Sequence, residues 1–225
     1  MKKYISLVLI IFVLSGLIYC LRFYTLQRSR GVGTNLPVSN EAQKDVLSTN
    51  SIDIADQDQS VIGEPISDAL SRITKKPFGI KISPKDSPIQ PEKFSGYHTG
   101  IDFETTSIEQ NIDIPIYAVC SGPLILQKRA GGYGGVAVQS CTIDKQAVTV
   151  VYGHLRLASI TAKIGQELNR GEQIGFLGSG FSVETDGERK HLHLSIHKGT
   201  GVNILGYVQK PEHLSAWINP ADLLK

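Results

Sequence analysis

What this chain has least of is net charge. Its 23 basic and 21 acidic residues leave a formal +2 over 225 residues, so there is no field of one sign to argue for nucleic acid or an acidic partner. Sustained 3.6-residue periodicity is also missing beyond the N-terminal run, and no tandem repeat is present, so the main body has neither a helical nor a repeat signature. Aromatic residues are absent from Thr25 to Pro77, a stretch that includes "SNEAQKDVLSTNSIDIADQDQS". A segment so rich in Ser, Asn, Asp and Gln cannot bury much surface. Residues 28–63 therefore read as a flexible linker, with a root-mean-square span of roughly 30 to 35 Å as a random coil.

Charge is missing a second time from Tyr4 to Leu21, just after Lys2 and Lys3. That run is long enough to cross a bilayer as a helix. A cleaved signal would have a shorter apolar region and small residues at its cleavage site, whereas Leu17, Ile18 and Tyr19 lead here into Cys20. Ile18 and Tyr19 argue equally against a lipidated cysteine. Residues 1–27 are expected to form a short cytoplasmic tip and an uncleaved, single-pass transmembrane anchor. Charge does not orient it, since Lys2, Lys3 and the amino terminus are balanced by Arg22, Arg28 and Arg30.

From Glu64 onward a single folded domain is expected. "PISDALSRI" (Pro65 to Ile73) is a candidate short helix, ended by "TKKP". Beyond Phe78, short β-rich runs alternate with turn signals: Pro123 to Gln127, Val136 to Ser140, Ala147 to Tyr152, Gln173 to Leu177 and Leu192 to Ile196. "AGGYGG" is a candidate hairpin connection between the first two. The expectation is a mainly β domain built on antiparallel sheet.

The chemistry-bearing residues are concentrated in that domain. Six histidines are present in all, and "KHLHLSIH" carries three of them on one face of a strand: His191, His193 and His197, with Leu192, Leu194 and Ile196 facing a core. "SGYHTGIDF" supplies His98 and Asp102, and "VVYGHLRL" supplies His154 at a strand end. In a straight strand His98 and Asp102 would stand about 13 Å apart, too far to share a metal. The chain must bend near Gly100 for them to converge. Two histidines, one carboxylate and an open fourth position make a catalytic zinc shell.

"HTGID", "GHL" and "HLH", in this order, resemble the signature of the lysostaphin-type (LytM) zinc metalloendopeptidases, which cleave peptidoglycan cross-bridges. The resemblance runs from about Pro77 to the C-terminus and includes "PFGIKISP", "IPIYAVCSGPLIL", "GGYGG", "KIGQELNRGEQIGFLGSG" and "WINPADLL". It implies a lysostaphin-like antiparallel sheet or half-barrel, related to lipoyl-type hybrid motifs, over residues 64–225. It implies one Zn2+ held by His98, Asp102 and His193, with His154 and His191 as catalytic histidines that do not bind the metal. Zinc lowers the pKa of water and polarises a carbonyl. His191 is placed to take a proton, and His154 to hydrogen-bond the developing oxyanion or protonate the amine, but spacing does not assign which histidine does which. His197 and His213 are expected to be structural.

The sequence departs from the family before its last motif, where "GFSVETDGERK" replaces a shorter segment ending in Gly and Pro. Glu184, Asp186 and Glu188 there are candidates to meet a positively charged part of a peptide, or simply solvated loop residues. Cys20 falls in the anchor, leaving Cys120 and Cys141 on either side of the hairpin as candidates for a disulfide, a bond suited to an extracytoplasmic compartment. The expected partners are peptidoglycan peptide cross-links and, through the anchor, the cytoplasmic membrane, with the catalytic domain on the extracytoplasmic or periplasmic side. A protein activator is a further candidate partner. Two rival readings are a noncatalytic regulator of another wall hydrolase, which would usually lack the ligands, and a lipoyl-like transport adaptor. The adaptor reading explains none of the histidines.

Overall fold

The computed structural model describes residues 61–225. The expected anchor, and the expected linker as far as residue 60, lie outside the described residues. Residues 61–63, also assigned to the linker, are part of the packed domain. Ile62 is fully buried, the Val61 amide donates to Leu223 O, and the Gly63 amide donates to Val119 O. Two apolar residues, Val61 and Ile62, after a polar stretch gave no warning of this.

Twelve strands form among the described residues: β1 (Lys81–Ile82), β2 (Gly96–His98), β3 (Ile101–Glu104), β4 (Pro115–Tyr117), β5 (Gly122–Ala130), β6 (Gly134–Ile143), β7 (Gln146–Gly153), β8 (Glu167–Leu168), β9 (Gln173–Phe176), β10 (His191–Lys198), β11 (Tyr207–Val208) and β12 (Trp217–Ile218). Every pairing among them is antiparallel. The main sheet runs β12-β10-β7-β6-β5-β8, with β3 also paired to β10, and β1-β2-β11 and β4-β9 form smaller sheets. All five expected strands are present, most of them longer than expected. The segment 65–73 yields only a 3-10 turn, Ala69–Arg72, because Asp68 adopts a left-handed φ of 56° and interrupts any right-handed run. No α-helix forms among the described residues, and none of their helices is long and apolar enough to cross a membrane.

β6 and β7 are rich in Val, which suits a pleated, half-buried surface. Their two-residue turn, Asp144–Lys145, has φ of 48° and 65°, the positive pair that matches the twist of a tight hairpin. β5 and β6 are joined through Gly131, Gly132 and Tyr133, within the expected "AGGYGG". Gly134, at φ 68°, lies so close to the Glu184 carbonyl that a Cβ would overlap it, and so brings the 178–190 loop against this hairpin.

The period-two alternation of β10 divides the sheet's two faces. Leu192, Leu194 and Ile196 join Phe103, Leu124, Val150, Tyr152, Leu155 and Leu177 in the main core. Each such side chain contributes about 1.5 to 3 kcal/mol when fully removed from water. On the opposite face Tyr133, Val136, Val138 and Val151 form a second, smaller cluster. Within the core the Tyr152 hydroxyl is satisfied on both sides: it accepts from the Val119 amide at 2.9 Å and donates to Gln139 Oε1 at 3.0 Å.

Cys120 and Cys141 form a disulfide with Cα atoms 6.2 Å apart, joining the approach to β5 with β6. The bond closes a 21-residue separation, for which restriction of the unfolded chain corresponds to about 3 kcal/mol. The double variant Cys120→Ser, Cys141→Ser is expected to unfold at lower urea by about that amount. Equal unfolding midpoints for the oxidised wild type and the variant would count against this stabilising role.

Candidate metal centre

The strand register assembles the site. β10 places His193 opposite Asp102 of β3 on one edge and opposite Gly153 of β7 on the other, immediately before His154. His98 ends β2, and Thr99 and Gly100 turn the chain into β3, as the His98–Asp102 spacing requires. A Cβ on Gly100 would fall on Leu194 O and within 2.9 Å of the His193 ring, so the close approach requires glycine here. The Asp102 amide, donating to Lys76 O at 3.0 Å, anchors the new strand.

His98, Asp102 and His193 are all buried and form the one group of metal-capable donors found among the described residues. His98 Nε2 lies 3.0 Å from His193 Nδ1 and 3.3 Å from Asp102 Oδ1, and His193 Nδ1 lies 3.2 Å from the same oxygen. Three donors around a tetrahedral zinc at ordinary bond lengths stand about 3.3 Å apart. The nearly equilateral triangle therefore fits that ion. The tautomers agree, since His98 Nδ1 faces Pro77 O at 3.2 Å. A carbonyl only accepts, so Nδ1 carries the proton and Nε2 turns its lone pair toward the triangle.

His191 and His154 flank this group. His191 Nδ1 donates to Arg189 O at 2.9 Å, leaving the lone pair on Nε2, which stands 3.3 Å from Asp102 Oδ2. The His154 and His191 rings are 4.1 Å apart between centroids. His154 holds a left-handed φ of 64°, a conformation that costs a non-glycine residue about 1 to 2 kcal/mol. Its backbone is held on both sides, its carbonyl accepting from Gly178 and the next amide donating to Gly135 O. His154 Nδ1, His193 Nε2 and the Tyr133 hydroxyl are buried without a hydrogen-bond partner. Unsatisfied buried polar atoms gathered at one place are expected where a ligand binds.

Burial alone would push the Asp102 carboxyl up, but the fields of His191 and His98 and the close approach of the His191 and His193 rings outweigh it and hold the pKa well below the usual range. Burial pushes His193 down to about 4, and it also pushes His154 well below the ordinary imidazole value. Both imidazoles are thus neutral at pH 7, which for His193 is the form a metal ligand requires.

His197 shares the strand face but lies outside the group, packed edge-on against Trp217 with centroids 5.0 Å apart. The loop acids are already engaged. Glu184 Oε2 accepts from the Ser179 amide at 2.9 Å, Asp186 Oδ2 from the Gly132 amide at 2.7 Å, and Glu188 pairs with Lys93 at 3.2 Å. They brace the 178–190 loop against its surroundings. Residues unrecognised in the sequence complete the surroundings. A cavity of about 480 Å³ opens onto the histidines, walled by Phe94, Tyr133, Tyr207 and Arg189. Lys190 Nζ reaches the carbonyls of Glu109 at 3.0 Å, Gln110 at 3.4 Å and Ile112 at 2.5 Å. Arg189 had a signal: it lies two and four residues before His191 and His193, at the same parity.

Residues 96–204 match the model of peptidase family M23. The chain carries a peptidase family M23 domain, with the mainly antiparallel β fold of that family. Endolysin 2638A of Staphylococcus phage 2638A is 28% identical over 144 residues, covering 57% of this chain and 28% of the endolysin. The chain thus spans little more than a quarter of that relative's length. Among solved structures, the catalytic domain of the antimicrobial peptidase lysostaphin from Staphylococcus simulans is similar at 21% identity and a TM-score of 0.46, over 68% of this chain and 92% of that one. LytU is similar at 24% identity and a TM-score of 0.46, over 66% and 81%. Csd3 of Helicobacter pylori is similar at 20% identity and a TM-score of 0.46, over 73% and 34%.

The pKa of His193 sets a pH dependence. Between its folded value of about 4 and the ordinary 6.5, the unfolded chain binds more protons than the folded one, so stability is lost as pH falls through that window. The metal-free domain is expected to lose up to about 3 kcal/mol across it, followed by melting temperature, and His193→Gln should flatten the slope. An equal slope in the variant would remove His193 as the cause.

Proposed function

We propose that this chain is a membrane-anchored, zinc-dependent endopeptidase that hydrolyses peptide cross-links of bacterial peptidoglycan. The observation that carries the reading is the buried donor triangle of His98, Asp102 and His193 with two further imidazoles beside it. Two relatives support the substrate class by their descriptions, one as an endolysin and one as an antimicrobial peptidase. His98 Nε2, Asp102 Oδ1 and His193 Nδ1 would hold one zinc ion. Bound there, zinc would polarise the scissile carbonyl and lower the pKa of water toward neutrality.

The chain's own groups handle the proton. His191 Nε2, with its lone pair free and Asp102 beside it to stabilise the imidazolium, takes a proton from the attacking water and returns it to the departing amine. His154, kept neutral by burial, offers a hydrogen bond to the carbonyl oxygen as negative charge develops on it. The bond between carbonyl carbon and nitrogen breaks, leaving a carboxylate and an amine. The walls of Phe94 and Tyr207 limit water around these groups and so strengthen their electrostatic interactions.

In this reading residues 1–27 hold the chain in the cytoplasmic membrane as a single span. Residues from 28 to about 60 tether the domain, which faces the extracytoplasmic or periplasmic side, where its substrate lies. The expected disposition is recovery of the chain with membranes and digestion of its domain by protease added outside spheroplasts. Protection of the domain from that protease would overturn the topology.

The central test compares the wild type with His193→Ala and His191→Ala, measuring zinc content and release of cross-linked muropeptides. The wild type is expected to hold one zinc and cut. His193→Ala should lose the metal, and His191→Ala should keep it while losing at least about 100-fold in rate. Zinc without cleavage in the wild type would favour a noncatalytic regulator, and a wild type that takes up no zinc would end the metallopeptidase reading.

A further inference from the structure

The acid that closes the donor triangle has a second oxygen, and that oxygen is held from outside the triangle. Arg189 Nη2 donates to Asp102 Oδ2 at 2.8 Å. The same guanidinium is gripped by Glu104: Arg189 Nε lies 3.0 Å from Oε1 and 2.9 Å from Oε2, and Nη2 also contacts Oε1. Asp102 and Glu104 are alternate residues of β3, so their side chains share a face. Arg189 stands just ahead of β10, whose first residue, His191, is opposite Glu104. Its side chain therefore spans Glu104 to reach Asp102. All three side chains are nearly removed from solvent, with exposures of 11% for Arg189, 11% for Glu104 and 3% for Asp102. A charge-assisted fork in such a setting fixes direction as well as distance.

Direction matters here because a carboxylate has two ways to meet a metal. If both oxygens of Asp102 bound, they and the two imidazoles would fill a tetrahedral shell. With one oxygen held away, three protein donors remain and a fourth position stays open, which distinguishes a catalytic zinc site from a structural one. We propose that Arg189, itself oriented by Glu104, is a positioning residue that restricts Asp102 to a single metal-binding oxygen and so keeps the fourth position open. The proposal rests on the reading of His98, Asp102 and His193 as the metal site. It assigns a role to the stretch "GERK", where this sequence departs from the family pattern. His191 Nε2 shares Oδ2 at the longer distance of 3.3 Å, so the guanidinium is the closer partner of that oxygen.

The test uses the full chain in detergent, loaded with zinc or with cobalt(II), whose visible absorption reports coordination number and geometry. Wild type, Arg189→Gln, Arg189→Lys, Glu104→Gln and the double variant Arg189→Gln, Glu104→Gln are compared. Chelator competition gives zinc affinity, and the melting temperature of the metal-free form gives the state of the fold. Arg189→Gln and Arg189→Lys are expected to weaken zinc binding by about 10- to 100-fold and to change the cobalt spectrum. The double variant leaves no buried Glu104 charge behind, so it should keep the wild-type melting temperature more nearly while showing the same altered spectrum. Glu104→Gln should give a smaller change in the same direction.

A double variant with the wild-type cobalt spectrum and zinc affinity would overturn the proposal, because Arg189 would then only neutralise neighbouring acids. A wild type that binds neither metal would overturn the reading of the site and this proposal with it. These two failures are distinguished by the wild-type measurement alone.

Discussion

The site depends on one strand register, the alignment of β10 with β3 on one edge and β7 on the other. His193 meets Asp102 across one edge and Gly153 across the other. A slip of one residue would turn the histidines into the core and Leu192, Leu194 and Ile196 out of it. Three fully buried aliphatic side chains at about 1.5 to 3 kcal/mol each therefore enforce the alignment. The polar face is positioned by the cost of misplacing the apolar one. This is why a centre of charged and titratable groups can sit in so little solvent and still hold one arrangement.

That mechanism also explains how much was legible in the sequence. Alternation in "KHLHLSIH" announced both faces, and the short interval between His98 and Asp102 required a bend at Gly100, which is where β2 ends and β3 begins. The strands were found because short β-rich runs between turn signals are local. What was missed was not local. Val61 and Ile62 looked like a short apolar pair at the end of a polar stretch until Val119 and Leu223 met the chain around them. Asp68 broke a helix by a left-handed backbone angle that no propensity reports. Asp186 and Glu188 of the 178–190 loop looked free because their partners, Gly132 and Lys93, lie far off in sequence. Arg189 was visible as a charge, but its role depends on Glu104 and Asp102 lying side by side on another strand.

Burial has two opposite effects at the centre. It drives His193 and His154 toward neutrality, while the imidazoles around Asp102 more than offset what burial would do to its carboxyl. The outcome is two neutral imidazoles beside one ionised acid. Two of the donors, His193 uncharged and Asp102 ionised, are thus in the protonation states a divalent cation needs. Acid would oppose metal binding and folding together, because both require the same imidazole to stay uncharged.

Lys190 sits between these groups and a different part of the molecule. Its ammonium meets the carbonyls of Glu109, Gln110 and Ile112, much as a bound cation would hold a loop of oxygen ligands. Those carbonyls close on a charge supplied by the residue next to His191, so the length of the 105–113 segment and the identity of residue 190 are linked. Across related chains they should change together: where the segment is shortened, the lysine loses its reason to be kept, and where the lysine is lost, the segment must find another centre to fold around.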